Sequence, residues 1–257
     1  MDALRSLIGI VLGLVIAALT YYLATRLLGG GSTSALVIAA VCGLIGGGYA
    51  AIALAKNIYG IGVFGILGFL LDMTWSLLNT AAGLLVWLPA CSLKGGNFVS
   101  PNGNSKRSGT FVYSRNPRGG GYAATTIGPV IGGGWDSHEE LHVWQGRIFG
   151  PFYMVTYGFS WLWIMLFRII VGKPKAVDTE AYGRICYEDW AYWGGTSSTK
   201  INLGGWIAGF FLSLLFTSLL VAVPVGFVMG TPYLWLPGII GLLIYGVIRA
   251  LTPRSSP

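Results

Sequence analysis

Apolar residues in this chain fall into long, nearly unbroken runs. Leu4 to Leu28 is the first and Ser34 to Ala55 the second, while Gly204 to Met229 and Tyr233 to Leu251 close the chain with only Gly-Thr-Pro between them. A helix rises about 1.5 Å per residue, so runs of this length match a hydrocarbon core of about 30 Å and predict four membrane-spanning helices. The first carries Arg5 before it and Arg26 near its end, is longer than the apolar region of a signal peptide, and lacks a small-x-small cleavage site before Arg26. It therefore reads as a retained span. The stretch Ile58 to Leu93 is also apolar, but as one helix it would be about 54 Å long, which predicts a hairpin or a strongly tilted, broken helix.

Polar residues inside that stretch are ordered. Asp72, Trp75, Ser76, Asn79, Thr80 and Gly83 recur at three- and four-residue steps and form one stripe on an otherwise apolar helix. An ionisable residue there faces the protein interior or a water-filled cavity. Asp72 is therefore a candidate for lining a substrate path, or for holding a helix-packing network.

The pattern breaks at Lys94. From there to Trp135 the chain is rich in Gly, Asn, Ser, Pro and basic residues, with two short β-like runs, Gly109 to Ser114 and Tyr122 to Ile131. The link Arg115 to Gly121 is a turn signal, and predicts a β-hairpin between these runs that leads into a helix ending near Phe149, where Gly150-Pro151 intervenes. Such a hairpin could align an extended substrate by backbone hydrogen bonds, or be an ordinary surface element. A further apolar segment, Phe152 to Val171, is long enough to cross a bilayer and is interrupted by Arg168. The fold class is thus mainly α: a polytopic membrane helical bundle with an inserted α+β segment carrying a β-hairpin. The domains are 1–93 (N-terminal transmembrane helices), 94–203 (the inserted domain, with a hydrophobic helix at 152–171) and 204–257 (a C-terminal transmembrane helix pair).

Composition agrees with a multi-pass membrane protein, since 54% of the 257 residues are hydrophobic, 10% are charged and the mean hydropathy is +0.69. Many of the 40 glycines lie within apolar runs, where small residues let helices approach closely. Cys42, Cys91 and Cys186 are scattered singly and suggest neither a disulfide framework nor a cysteine metal site. Of the 16 Lys and Arg residues behind the net charge of +7, 11 fall between Lys94 and Lys200. By the positive-inside rule that segment is cytoplasmic, together with Arg5, Lys56, Arg249 and Arg254. This topological cause of the basic bias, and the seven acids interspersed in the same segment, argue against nucleic acid as a partner. The expected surroundings are the lipid bilayer.

The only two histidines, His138 and His142, are four residues apart in the string His-Glu-Glu-Leu-His. On a helix they share a face, so both imidazoles can meet one Zn²⁺ while Glu139 reaches an attacking water as general base. A competing reading is a plain helix start, with Ser137 and Glu140, or Asp136 and Glu139, forming a capping box. Gln145, three residues past His142 on the same face, is placed either to hydrogen-bond within the site or to end a polar stripe. A hydrolytic zinc needs a third protein ligand, for which Asp178, Glu180, Glu188 and Asp189 are the nearby candidates. If Phe152 to Val171 simply spans the bilayer, all four lie across the membrane from His138. If it is re-entrant, or a buried helix of the same domain, Glu188 can return to the metal. Glu180 is the main rival, with an i,i+4 ion pair to Arg184 as its alternative role.

The strings His138-Glu-Glu-Leu-His-Val-Trp-Gln145, Gly150-Pro-Phe-Tyr153, Tyr157-Gly158 and Tyr187-Glu-Asp-Trp-Ala191 resemble a group of bacterial membrane-associated, zincin-like metallopeptidases. That group shares HExGHxxQ, a Gly-Pro-x-Tyr turn, a hydrophobic helix and a Glu-x-x-Ala segment. The likeness covers about Thr125 to Ala191, and Glu140-Leu141 departs from it where a Gly is common. It implies a zincin-like inserted domain, a gluzincin-type site with Glu188 as third zinc ligand, a bacterial inner membrane location, and a segment Phe152 to Val171 that does not separate the two motifs. The expected function is an integral-membrane zinc hydrolase acting on peptide or protein substrates at the cytoplasmic face or just inside the bilayer. Tyr182, Tyr187, Tyr192 and Arg184 are candidate donors to the developing oxyanion. The alternatives are a zincin-like membrane protein whose metal site is structural or vestigial and, against the absence of an internal repeat, a transporter component.

Overall fold

The expected apolar runs fold as long helices because, in hydrocarbon, every backbone N–H and C=O must find its partner within the segment. The computed structural model describes residues 2–28, 33–119, 124–194 and 202–252. They form two compact units, Met1–Pro151 and Phe152–Pro257, whose boundary falls inside the segment 94–203.

The first unit begins with helices α1 (Asp2–Leu28) and α2 (Thr33–Lys56). Glycines set their close approach. A Cβ on Gly13 would lie 2.8 Å from the Gly43 carbonyl oxygen, and one on Gly47 would lie 2.8 Å from the Gly13 Cα. The long stretch that follows is a broken helix: α3 (Val63–Met73) meets the run Leu77–Leu93 at 83°. That run comprises α4 (Leu77–Ala82), a π-helical turn at Gly83–Trp87 and α5 (Leu88–Leu93). Gly83 opens the turn because a Cβ there would meet the Ile127 carbonyl oxygen at 2.6 Å.

A short helix, α6 (Gly103–Ser108), starts from a capping box between Asn102 and Ser105. It leads to a three-stranded sheet of β1 (Phe111–Tyr113), β2 (Thr125–Ile127) and β3 (Val130–Gly132) in the order β1-β3-β2. The expected pairing of the two β-like runs is corrected here. The second run splits at Gly128-Pro129, and its halves form the antiparallel hairpin, Thr126 opposite Ile131. The first run instead joins β3 in parallel, Val112 beside Ile131. Gly128 adopts φ 55, and Pro129 lacks the N–H that a continuous strand would use. The start of the second run, at Tyr122 and Ala123, lies outside the described residues. Helix α7 (Ser137–Phe149) completes this unit's secondary structure.

The second unit contains α8 (Tyr153–Ile170), α9 (Val177–Tyr182), α10 (Cys186–Gly194), α11 (Leu203–Val228) and α12 (Pro232–Leu251). Buried residues on α8, namely Thr156, Ser160, Ile164, Phe167 and Arg168, fall on one helical face. The Trp190 indole of α10 packs on Trp206 and Phe210 of α11, beside Gly209, where a Cβ would lie 2.5 Å from the Trp190 Cα and Cβ. Among the described residues, five helical stretches are long and apolar enough to cross a membrane, namely Ala3–Arg26, Thr33–Lys56, Ser137–Ile170, Leu203–Val228 and Pro232–Leu251. They mark a multi-pass membrane protein. Large exposed side chains such as Leu14, Leu44, Leu215 and Ile244 on these helices are explained by a hydrocarbon surround.

Candidate metal centre

Helix α7 forms where its sequence provides both ends. Asp136 is the N-cap, its side chain accepting from the Glu139 backbone N–H at 2.8 Å, and Glu139 and Glu140 place negative charge in the first turn. At the other end Gly150 leaves the helix at φ 56, and any Cβ there would collide with the Trp75 indole, 2.3 Å away. The cap and the histidine motif therefore coexist: Asp136 starts the helix, and His138 in its first turn shares one face with His142 in the next.

The two imidazoles meet at their Nε2 atoms, 3.1 Å apart, with the ring planes at 86°. Gln145 decides which atoms these are. Its side-chain oxygen lies 2.8 Å from His142 Nδ1, so that nitrogen carries the proton and donates it, leaving the Nε2 lone pair for a ligand. Glu139 is buried, and its carboxylate accepts from the Thr126 hydroxyl of β2 at 2.6 Å. Glu140 serves elsewhere, in an ion pair with Arg107 of α6 at 3.3 Å. The charge that departs from the resembling group's motif is thus compensated by Arg107.

The remaining polar residues near α7 hold the helix. Arg147 forms a two-pronged pair with Asp72, at 3.0 Å from Nε and 2.7 Å from Nη2, with both side chains buried. The Tyr49 and Tyr59 hydroxyls also donate to Asp72, and Arg147 donates to the carbonyls of Ser108 and Gly109. The stripe at the α3/α4 bend meets the C-terminal carbonyls of α7 and the turn after it. Ser76 and Asn79 donate to Gly146, Asn79 also to Gly150, and Trp75 to Ile148. These carbonyls lie where a helix lacks internal donors. The polar stripe of the bent helix is therefore a docking surface for the motif helix.

In the second unit, Glu188 on α10 is fully buried and accepts a short hydrogen bond from the Tyr157 hydroxyl of α8. Tyr187 stacks on Tyr157, with centroids 5.9 Å apart and planes at 18°. Its hydroxyl is shared with Thr156 and Thr217, both at 2.7 Å. The other acids have different partners. Glu180 pairs with Arg184 at 2.5 Å and lies 3.7 Å from Arg168, and Asp189 pairs with Arg249. The Asp178 carbonyl accepts from Trp161. Among the candidate oxyanion donors, Arg184 is spent on Glu180 and on the Thr252 carbonyl, while Tyr182 and Tyr192 are half-buried. Burial pushes the Cys186 thiol up to about 11, so it stays protonated at neutral pH and does not offer a thiolate.

Among the described residues, the group His138, His142 and Glu188 could bind a metal ion. The donor set suits a hard-to-borderline divalent cation: two neutral imidazoles and one carboxylate. The spacing of the histidine pair suits one as well, because two nitrogens at 2.0 to 2.1 Å from a tetrahedral ion are about 3.3 Å apart, and the Nε2 atoms stand at 3.1 Å. Thr126 and Arg107 carry no signature of their own in the sequence. Tyr157 falls in the Tyr157-Gly158 string, and as a polar-tipped ring within an apolar run its hydroxyl needs a partner.

Comparison of the chain with protein-family models, with curated proteins and with solved structures finds no match.

Proposed function

We propose that this protein is an integral-membrane zinc hydrolase, a metallopeptidase that cleaves peptide or protein substrates at the cytoplasmic side of a bacterial inner membrane. The single observation that carries this reading is the meeting of the His138 and His142 Nε2 atoms, 3.1 Å apart on one helix, in a group with Glu188 that could bind a metal ion. These residues would hold the ion, which when bound would supply Lewis acidity, acidifying water and polarising a carbonyl. The chain's own residues account for the rest. Glu139 takes a proton from the attacking water and returns it to the departing amine, and the Thr126 hydroxyl holds its carboxylate in place for both transfers. Gln145 keeps His142 in the tautomer that presents Nε2. The concentration of Lys and Arg between Lys94 and Lys200 supports a cytoplasmic site.

The test is peptide cleavage by purified protein against a mixed peptide library, read by mass spectrometry. Cleavage should be lost with a zinc chelator and restored by zinc. Glu139→Gln should keep the metal and lower turnover by about 100- to 10,000-fold, the range for a positioned general acid-base group. Cleavage by Glu139→Gln at the wild-type rate would exclude the mechanism.

A further inference from the structure

The reading above leaves open how a buried carboxylate on a nine-residue helix is held ready for a metal. Glu188 is one of the largest fully buried side chains in the chain, and burying a carboxylate without compensation is costly. Compensation comes from α8, where the Tyr157 hydroxyl donates to Glu188 Oε1. Tyr157 is itself fixed. It lies edge-on to Tyr153 with centroids 5.8 Å apart, and is stacked on Tyr187, whose hydroxyl is anchored between Thr156 and Thr217. The ring is thus held by aromatic packing, and its hydroxyl can take few other directions.

From this geometry we infer that Tyr157 is a positioning residue for the third metal ligand. By engaging Oε1 it fixes the rotamer of Glu188 and keeps the carboxylate oriented for one-point ligation. It is the counterpart of Gln145 on His142. Partners of this kind typically set metal affinity by 10- to 100-fold without touching the metal. The inference rests on the zinc reading, and its test separates the two.

The experiment measures zinc affinity of the full-length protein by competition with a chromogenic chelator, and records the visible spectrum of the cobalt-substituted form. Tyr157→Phe removes only the hydroxyl. The expected result is a zinc affinity about 10- to 100-fold weaker than wild type with a changed cobalt spectrum. Ser160→Ala removes a buried hydroxyl of α8 that bonds Tyr245 rather than the Tyr157 and Tyr187 array, and should leave both readouts unchanged. Equal affinity and an identical spectrum for Tyr157→Phe would overturn the positioning role alone. So would an equal loss in Ser160→Ala, which would mark the effect as packing. A wild type that binds no zinc would overturn both readings. Should Tyr157→Phe fail to accumulate, infrared difference spectra of wild type with and without zinc, using ring-labelled tyrosine, address the same contact. A tyrosine C–OH band that shifts, and that Glu188→Gln abolishes, supports the role; no tyrosine band overturns it.

Discussion

Two neighbourhoods of this protein hold ligand-type residues, and they are built differently. Around α7 in the first unit the supports are charges and backbone carbonyls: Asp72 with Arg147, Glu140 with Arg107, and the Trp75, Ser76 and Asn79 side chains on the helix end. Around Glu188 in the second unit they are hydroxyls and stacked rings: Tyr157, Tyr187, Thr156 and Thr217. A helix carrying two imidazoles on one face must be fixed as a rigid body, and ion pairs with carbonyl caps do that at its ends. A single carboxylate needs only its rotamer fixed, and one well-packed hydroxyl suffices. Most polar residues inside apolar segments here therefore secure helices, and those bonded directly to ligand-type side chains mark the chemistry.

The largest expected effect that would break this contrast is on stability. Arg147→Met leaves Asp72 buried without its countercharge, and should cost about 3 to 5 kcal/mol, seen as a drop in the denaturation midpoint in detergent. A midpoint unchanged from wild type would mean that the pair does not hold α7. A smaller effect sharpens the contrast between holding a helix and holding a ligand. Gln145→Ala should leave the denaturation midpoint of the metal-free protein near wild type but weaken zinc binding about 10- to 100-fold in chelator competition. The smallest is expected at Arg107, which is half exposed in its pair with Glu140. Arg107→Ala should change stability by less than about 1 kcal/mol and leave zinc content intact. Loss of metal in that variant would move Arg107 from support into the site.

Much of this was legible in the sequence, for physical reasons that differ by region. The helices α1, α2, α11 and α12 begin and end within two residues of the apolar runs, since membrane spans are written as length and hydropathy. The break in Ile58 to Leu93 followed from length alone, but not its place at Thr74 to Ser76, which depends on the carbonyls of a helix about 70 residues later. Strand pairing was misread because the parallel partner of β1 is remote and the true hairpin turn, Gly128-Pro129, lay inside what looked like one strand. His138, His142 and Glu139 were visible through spacing. Glu188 was reached through a resemblance, and Asp72 was visible as an anomaly whose partner, Arg147, lies 75 residues away. Thr126 and Tyr157 act through single hydrogen bonds across the fold, which no local pattern encodes.

The central claim is that His138, His142 and Glu188 hold one metal ion. Its most direct test is the zinc content per chain of protein purified without added metal, measured by mass spectrometry for wild type, His142→Ala and Glu188→Ala. About one zinc per wild-type chain, with zinc lost from both variants, is the expected result. A wild type without zinc, or zinc retained at the wild-type level in His142→Ala or Glu188→Ala, would contradict it.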